Sequence, residues 1–442
     1  MTKTYLFIAI VFALPLSAQT THVGPWTLSD CTQYALEHNI TLQQNNLSVQ
    51  QRENELSGAK ARMLPGVNAS GNESFSFGRG LTSDNTYANN SNTTMTSFTV
   101  GASMPLFEGF TIKNNIELSR LNLEAATVDL EKARNSIRVS VAQAYVQILY
   151  DKEILGVAHN QIAVDSLQVV RLNSMLRAGK ASSAEVSAAE ATLAQSRLTA
   201  TQAEGNLRIA LLELTQLLEL ASPEGFDIVI PDIATIGNAE LTPPEIIYEE
   251  ALTNWPSIRS EQIRLQAAEK NIDIARGGYY PTLSLSGGVG TNYYSIMGVD
   301  GPSFGSQLRD NFSPSLSLSL SIPIFDRFST RTNVRSAKLS HMNQQLQLEN
   351  VGKTLYKEIQ QAYYNAQTAR SKYEGSMAAE KSAAEAFDIM SAKYENSKAN
   401  ITDFNEAKNR YISASSDLAQ ARYQYLYQTR LLDFYRGKEI IF

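Results

Sequence analysis

One cysteine, Cys31, in 442 residues leaves no internal disulfide to staple the fold. The four histidines, His22, His38, His159 and His341, stand far apart with no ligand spacing, so no resident metal is expected. No Gly-rich phosphate loop, nucleophile elbow or zinc-helix signature occurs, which points away from an enzyme and from any cofactor. Basic residues are outnumbered, 38 Lys+Arg against 44 Asp+Glu for a net charge of −6. A nucleic-acid binder needs a basic stripe that this balance does not supply. Beyond the first residues no run approaches the ~20 apolar residues of a membrane helix, so contact with a membrane must be made by strands or at its surface. Proline is missing where it matters most. All 13 prolines lie outside 106–222 and 324–442, and each of those stretches has room for a very long helix and a return helix.

What is present is said twice. Ala35-Leu36 recurs as Ala251-Leu252, and Leu64-Pro65 as Tyr280-Pro281, both 216 residues later. Met104-Pro105-Leu106-Phe107 recurs as Ile322-Pro323-Ile324-Phe325, 218 residues later, and the same offset pairs Gly179-Lys180 with Ser397-Lys398. A period this long is a duplicated half-molecule rather than a short solenoid unit. Residues 1–18 read as a secretory signal peptide: Lys3, an apolar run from Tyr5 to Leu14, and Leu16-Ser17-Ala18 before the cut. The first repeat then covers 19–222, with strands at about 66–77 and 95–105 and a helical hairpin over 111–220. Residues 223–242 are a linker. The second repeat covers 243–442, with strands at about 281–294 and 312–322 and a hairpin over 328–436.

Each half opens with a helix signal. Thr27 is followed by Asp30, and Thr242-Pro243-Pro244-Glu245 places a cap, a proline at the first helical position and an acid that reaches back. These helices are expected to run unbroken to about Met63 and Gly277. The strands that follow alternate. Ser315 to Ile322 is Ser-Leu-Ser-Leu-Ser-Leu-Ser-Ile, which sets every Leu on one face and every Ser on the other. Thr282 to Val289 and Phe98 to Met104 alternate similarly. Each segment has about the ten residues of a tilted transmembrane strand. A soluble sandwich would have to satisfy inward serine hydroxyls, whereas a water-filled lumen satisfies them itself, so the pattern favours a barrel. Phe75, Phe77, Phe107, Tyr293, Tyr294 and Phe325 cluster near strand ends, where membrane-interface aromatics belong. Polar tips, Gly80 to Thr94 and Met297 to Asn311, join the strands.

Along the first long helix, Ile116, Leu123, Leu130, Ile137 and Ala144 recur at steps of seven, and Leu121, Val128, Ala142, Leu149, Ala163 and Val170 form a second stripe. Two stripes call for neighbours on two sides, as in a ring of helices. One hairpin of an ordinary coiled coil is the alternative. Four strands cannot close a barrel, since the smallest use about eight, and open edges are not allowed in lipid. Other copies of the chain must therefore complete it, while helices this long project into water.

In this order, Ala35-Leu36 with Asn39, Leu64-Pro65, Pro105-Leu106-Phe107-Glu108-Gly109 and Pro323-Ile324-Phe325 resemble the TolC-like outer-membrane efflux proteins over nearly the whole mature chain. The resemblance implies a mainly α protein with membrane β-structure: a homotrimer whose twelve-stranded β-barrel continues into a twelve-helix α-barrel. It implies an outer-membrane exit duct of a tripartite efflux or type I secretion system in a Gram-negative bacterium. The duct would be seated in outer-membrane lipid with a long periplasmic extension. Its partners would be a periplasmic adaptor and an inner-membrane pump of RND or ABC type. It places a periplasmic gate or selectivity ring at Asp403 and Glu406, although acids in a first helical turn are also favoured by the helix dipole. Ala399 stands where family members can carry a basic gate residue. Gly179, Lys180, Ser397 and Lys398 would form the adaptor-facing tips. The rival reading is a non-channel periplasmic coiled-coil scaffold or surface structural protein.

Overall fold

A computed structural model describes residues 24–78, 80–81, 87–88, 92–231, 241–396 and 398–442. The signal segment 1–18, Ser397 and much of the tip Gly80–Thr94 lie outside the described residues. Helices α1 (Leu28–His38) and α2 (Ile40–Ala61) lead into strand β1 (Gly66–Ser76), the short β2 (Gly80–Leu81) and β3 (Tyr87–Ala88), and β4 (Thr93–Glu108). The hairpin α3 (Thr111–Arg177) and α4 (Ser183–Leu217) completes the first half. The second half repeats it as α5 (Pro244–Asn254), α6 (Pro256–Arg276), β5 (Thr282–Ile296), a small helix α7 (Phe304–Asp310), β6 (Ser313–Ser321), α8 (Ser329–Glu395) and α9 (Ile401–Tyr435). The duplication is exact in its long elements: α3 and α8 have 67 residues each, α4 and α9 have 35.

The opening helices are not continuous, contrary to the expectation from sequence. Asn39 interrupts the first with an extended backbone, and its side chain accepts hydrogen bonds from the Thr41 and Leu42 N–H groups. Trp255 interrupts the second at the equivalent position (φ −70°, ψ 126°), because Pro256 drives the residue before it out of the helical region. Thr27 and Asp30 do form a reciprocal cap. Thr242 does not. Pro243 takes the cap position of α5 with no side-chain bond, Pro244 opens the helix, and the Thr242 hydroxyl accepts from Arg436 Nη1 at 3.2 Å. The tip Met297–Asn311 is likewise not all loop, since Ser303 caps α7 within it.

Four strands form one antiparallel sheet in the order β1-β4-β5-β6, so the two halves meet at β4–β5. On one face Leu283, Leu285 and Val289 of β5 oppose Leu320, Leu318 and Pro314 of β6. On the other, Ser284 and Ser286 oppose Ser319 and Ser317. Strand ends turn into the long helices through one motif used twice. Gly109-Phe110 and Arg327-Phe328 each take two successive left-handed conformations, with φ of 58° and 64° in the first pair and 57° and 63° in the second.

The described residues within Met1–Ala35, Val141–Ile236 and Ile441–Phe442 form one compact unit, and those within Leu36–Ser140 and Gly237–Ile440 form another. In the first, Trp26 pairs with Ile228 as a parallel bridge, and the Tyr145 hydroxyl donates its one proton to the Val229 carbonyl at 2.6 Å, with the Trp26 carbonyl as a shared second acceptor at 3.2 Å. Burial raises the Tyr145 phenol above its ordinary range. Burial, then the nearby Asp30 charge, pushes the Cys31 thiol up to about 12, so it sits as an inert small core residue. The second unit has its main core where α5, α6, α8 and α9 meet, with Ile247, Ile258, Leu355, Ile359 and Leu432 buried together. Each such side chain contributes roughly 1.5–3 kcal/mol by leaving water.

Candidate functional site

Local signals build the turn between α8 and α9. Asn396 ends α8 and its side-chain amide donates to the Ala392 carbonyl at 2.7 Å. Lys398 N–H donates back to the Lys393 carbonyl at 2.8 Å. Asn400 caps α9, its side-chain oxygen accepting from Asp403 N–H at 2.8 Å. The next residue, Phe404, is buried against Tyr394 (ring centroids 4.8 Å apart) and Phe387 (5.7 Å), and Phe387 stacks on Tyr411 at 5.6 Å. This aromatic staple fixes the first turns of α9 on α8 and leaves Asp403 and Glu406 exposed, one turn apart. Among the described residues the Asp403 carboxylate has no partner, whereas Glu406 pairs with Arg410 at 2.5 Å. That pair is exposed and worth little, but Arg410 cancels charge that Glu406 would add.

The first-half turn is built differently. Gly179, at φ 70°, ends α3 in a Schellman motif: its N–H donates to Leu176 and that of Lys180 to Met175. Ser182 and Glu185 then close a full capping box on α4. Those bonds from the Ser182 backbone and hydroxyl hold the Glu185 carboxyl below its ordinary range. Glu185 is the counterpart of Asp403 at the 218-residue offset, and Val186 is the counterpart of Phe404. Lys180 and Lys398 are both exposed.

The sheet presents two chemistries. Phe75, Phe98, Val100 and Val289 share the face of the Leu row, and Asn68, Ser70, Thr99 and Asn292 share that of the Ser row. Strand pleating separates the two neighbouring tyrosines. Tyr293 falls on the apolar face with its ring against Phe304 (5.0 Å), and Tyr294 falls on the polar face, so the two cannot form one girdle. Phe77 lies exposed just past β1. At the opposite end of the sheet Phe107 opposes Leu283 and packs edge-on with Phe110 (5.1 Å), and Phe325 does the same with Phe328 (5.5 Å). Phe110 and Phe328 join the site only in three dimensions, and in sequence the repeated Pro-x-Phe-x-x-Phe spacing carries them.

Both edges of the sheet, β1 and β6, are exposed along their whole length. Where β5 outruns β6, Gln307 of α7 substitutes for a strand, accepting from Tyr294 N–H and donating to Tyr294 O, both at 2.9 Å. The helices show an equivalent asymmetry. Leu121, Ala125 and Val128 of α3 pack on Ile263 of α6, and beside them Asp129 accepts from Arg264 at 2.5 Å and from Ser260 at 2.7 Å. The counterparts one half further along are Leu339 and Leu346 of α8 and Leu47 of α2, which remain 66%, 64% and 61% exposed.

Against known proteins, the family model described as outer membrane efflux protein matches residues 32–219 and 247–437, one block in each half. The chain belongs to the outer membrane efflux protein family. Members of this family are passive ducts with no catalytic step. Protein CyaE of Bordetella pertussis is 30% identical over 278 residues, 58% of this chain and 54% of that protein. Outer membrane protein TolC of Escherichia coli is 24% identical over 362 residues, 78% of this chain and 71% of that protein. In fold, the crystal structure of the CmeC outer membrane channel of Campylobacter jejuni matches with a TM-score of 0.79 at 19% identity, covering 93% of this chain and 86% of that one. Among the described residues no helix is long and apolar enough to cross a membrane, and no three His, Cys, Asp or Glu side chains gather as a metal site.

Proposed function

We propose that three copies of this chain close into an outer-membrane exit duct. It passes cargo delivered by an inner-membrane transporter and carries out no energy-consuming step of its own. The observation that carries this reading is the coincidence of open edges and bare seams. A four-stranded antiparallel sheet has edge strands of opposite direction, so copies joined β6 to β1 continue the alternation and three of them give twelve strands. The α3–α6 contact between the halves supplies the pattern for the helical seam, with Leu339 and Leu346 of one copy seated on Leu47 of the next. The apolar sheet face then meets lipid and the Ser/Asn face lines water, which supports a seat in the outer membrane of a Gram-negative cell with the long helices in the periplasm.

Asp403 is the gate acid of this assembly. Its counterpart Glu185 is consumed in a helix cap, while Asp403 stands free on a turn stiffened by aromatic rings, so three copies can converge on the axis and select cations. Glu406 contributes less, because Arg410 shares its charge. The exposed Gly179, Lys180 and Lys398, together with Ser397 from outside the described residues, are the contacts for a periplasmic adaptor, and beyond the adaptor the partner is an RND or ABC pump. Single-channel recording in a planar bilayer, wild type beside D403A/E406A, tests this. Small cation-selective steps that enlarge and lose selectivity in the variant are expected. Conductance unchanged by the substitutions keeps the duct and removes the gate assignment. No channels from folded protein returns the chain to the scaffold reading.

A further inference from the structure

Where the sheet gives way to α8, the second half carries a row of cations that the first half lacks. Arg331, Arg335 and Lys338 stand at i, i+4 and i+7, on one side of the helix, and all three are exposed. From Arg327 to Asn350 the only acid is Glu349, and Asp326, just before, is engaged by the Thr330 N–H at 2.7 Å. Among the described residues none of the three cations has a carboxylate partner. The first-half counterparts are Lys113, Glu117 and Arg120, where Arg120 pairs with Glu117 at 3.2 Å and the row is broken.

The side of the molecule that this row faces follows from ring contacts. Phe107 lies opposite Leu283 on the apolar face of the sheet and touches Phe110. Phe325 and Phe328 repeat that pair at the head of α8, and the Arg331 guanidinium lies over the Phe328 ring, 6.0 Å from its centroid. By this repeat Arg331 sits toward the apolar side of the sheet, the lipid side of the proposed barrel, and Arg335 and Lys338 follow it along the same side of α8. At ~1.5 Å per residue, Arg331 to Lys338 spans about 10 Å of helix, starting 3 Å past its first residue. A headgroup layer is roughly 5–8 Å deep, so Arg331 lies within it and the long side chains of Arg335 and Lys338 reach back toward it.

We propose that this row binds the phosphates of anionic phospholipids in the leaflet bordering the helices, with Phe325 and Phe328 seated at the acyl boundary. The inference rests on the duct reading above. Three such rows around a trimer would fix its depth and tilt at the point where the strands become helices.

The test compares wild type, R331Q/R335Q/K338Q and the first-half control K113Q/R120Q. Each is reconstituted in nanodiscs of phosphatidylcholine with about a third phosphatidylglycerol, and the lipids retained after release are weighed by native mass spectrometry. Wild type is expected to retain phosphatidylglycerol preferentially. The triple variant loses about five-fold in preference per cation removed, and the control keeps it. Preference that survives in the triple variant, or that falls equally in the control, overturns the proposal. So does displacement of the lipid by millimolar inorganic phosphate, which would mean a free-anion site. Wild type that never enters a bilayer overturns the duct reading and this one with it, and is read separately as absence of protein from the nanodisc fraction.

Discussion

The two halves share one architecture and differ in what covers them. In the first, Leu121, Ala125 and Val128 are packed on Ile263 within the chain. In the second, the counterparts Leu339, Asn343 and Leu346 on α8 are exposed, and so is the Leu47 that would answer them. At the turns the difference runs the other way: Glu185 is tied into its cap while Asp403 is left free. A duplicated chain thus solves each contact once inside itself and leaves its copy for assembly or for function. The difference between halves is the functional information.

The largest effect is expected from attacking the bare seam. L339D/L346D leaves the monomer core untouched but places charges where the proposed duct packs a neighbouring copy, and burying an unpaired carboxylate there costs more than the seam can return. Sedimentation in detergent is expected to show monomer in place of trimer. Ile263→Ala instead cuts the internal copy of the seam and costs about 2–5 kcal/mol of protomer stability. If L339D/L346D assembles normally, the seam lies elsewhere.

Next comes the aromatic staple. Phe404→Ala removes the ring held by Tyr394 and Phe387 and is expected to cost about 3–5 kcal/mol. Its counterpart Val186→Ala costs about 2 kcal/mol by the smaller area lost. Hydrogen exchange over the first turns of α9 and α4 checks this, with α9 loosening more. Equal loosening at the two turns would mean that the rings are filler rather than a brace for Asp403.

A smaller effect distinguishes the capped acid. Bonds from Ser182 depress the Glu185 carboxyl in the folded chain. Its stabilisation is therefore present above the unfolded value, about 4.3, and is lost as pH falls through the lower folded value. Gln in its place keeps the cap and removes the titration. Below about pH 4 the wild-type melting temperature is expected to fall more steeply than that of E185Q. Parallel slopes would show that the capping box does not couple to protonation.

The long helices were legible because proline and glycine punctuate so sharply. Gly179 marked the first turn, and residues 106–222 contain no proline that could break a rod. The strands were legible from the Ser/Leu alternation, whereas the residues around Asp403 showed only an acid in a first helical turn, and its gate role was an expectation drawn from the family resemblance. The break at Trp255 was written in the following proline, which drives the residue before it out of the helical region. The partner of Glu406 was readable as an i, i+4 pair with Arg410. The strand order, with β4 beside β5, was not readable, because any two alternating strands satisfy the same pattern and only the three-dimensional pairing chooses. Nor was the division of Tyr293 from Tyr294, which depends on register.

The smallest effect tests whether the arginine at the second junction is held there against strain. Gly109 and Arg327 occupy the same left-handed position, φ 58° and 57°. In the first half glycine is obligatory, since a Cβ would lie 2.3 Å from the Gly277 carbonyl oxygen. At Arg327 the side chain is exposed and only the backbone cost of a left-handed residue applies, about 1–2 kcal/mol. Arg327→Gly relieves it and returns about 0.5–1 kcal/mol through the greater freedom of the unfolded chain. The protomer is expected to gain up to about 1 kcal/mol in denaturant unfolding. A gain would mean that the arginine is kept despite a local cost, as a residue with work at the membrane border would be. A loss of more than about 1 kcal/mol would mean instead that Arg327 makes a stabilising contact, and that the two junctions differ in packing rather than in task.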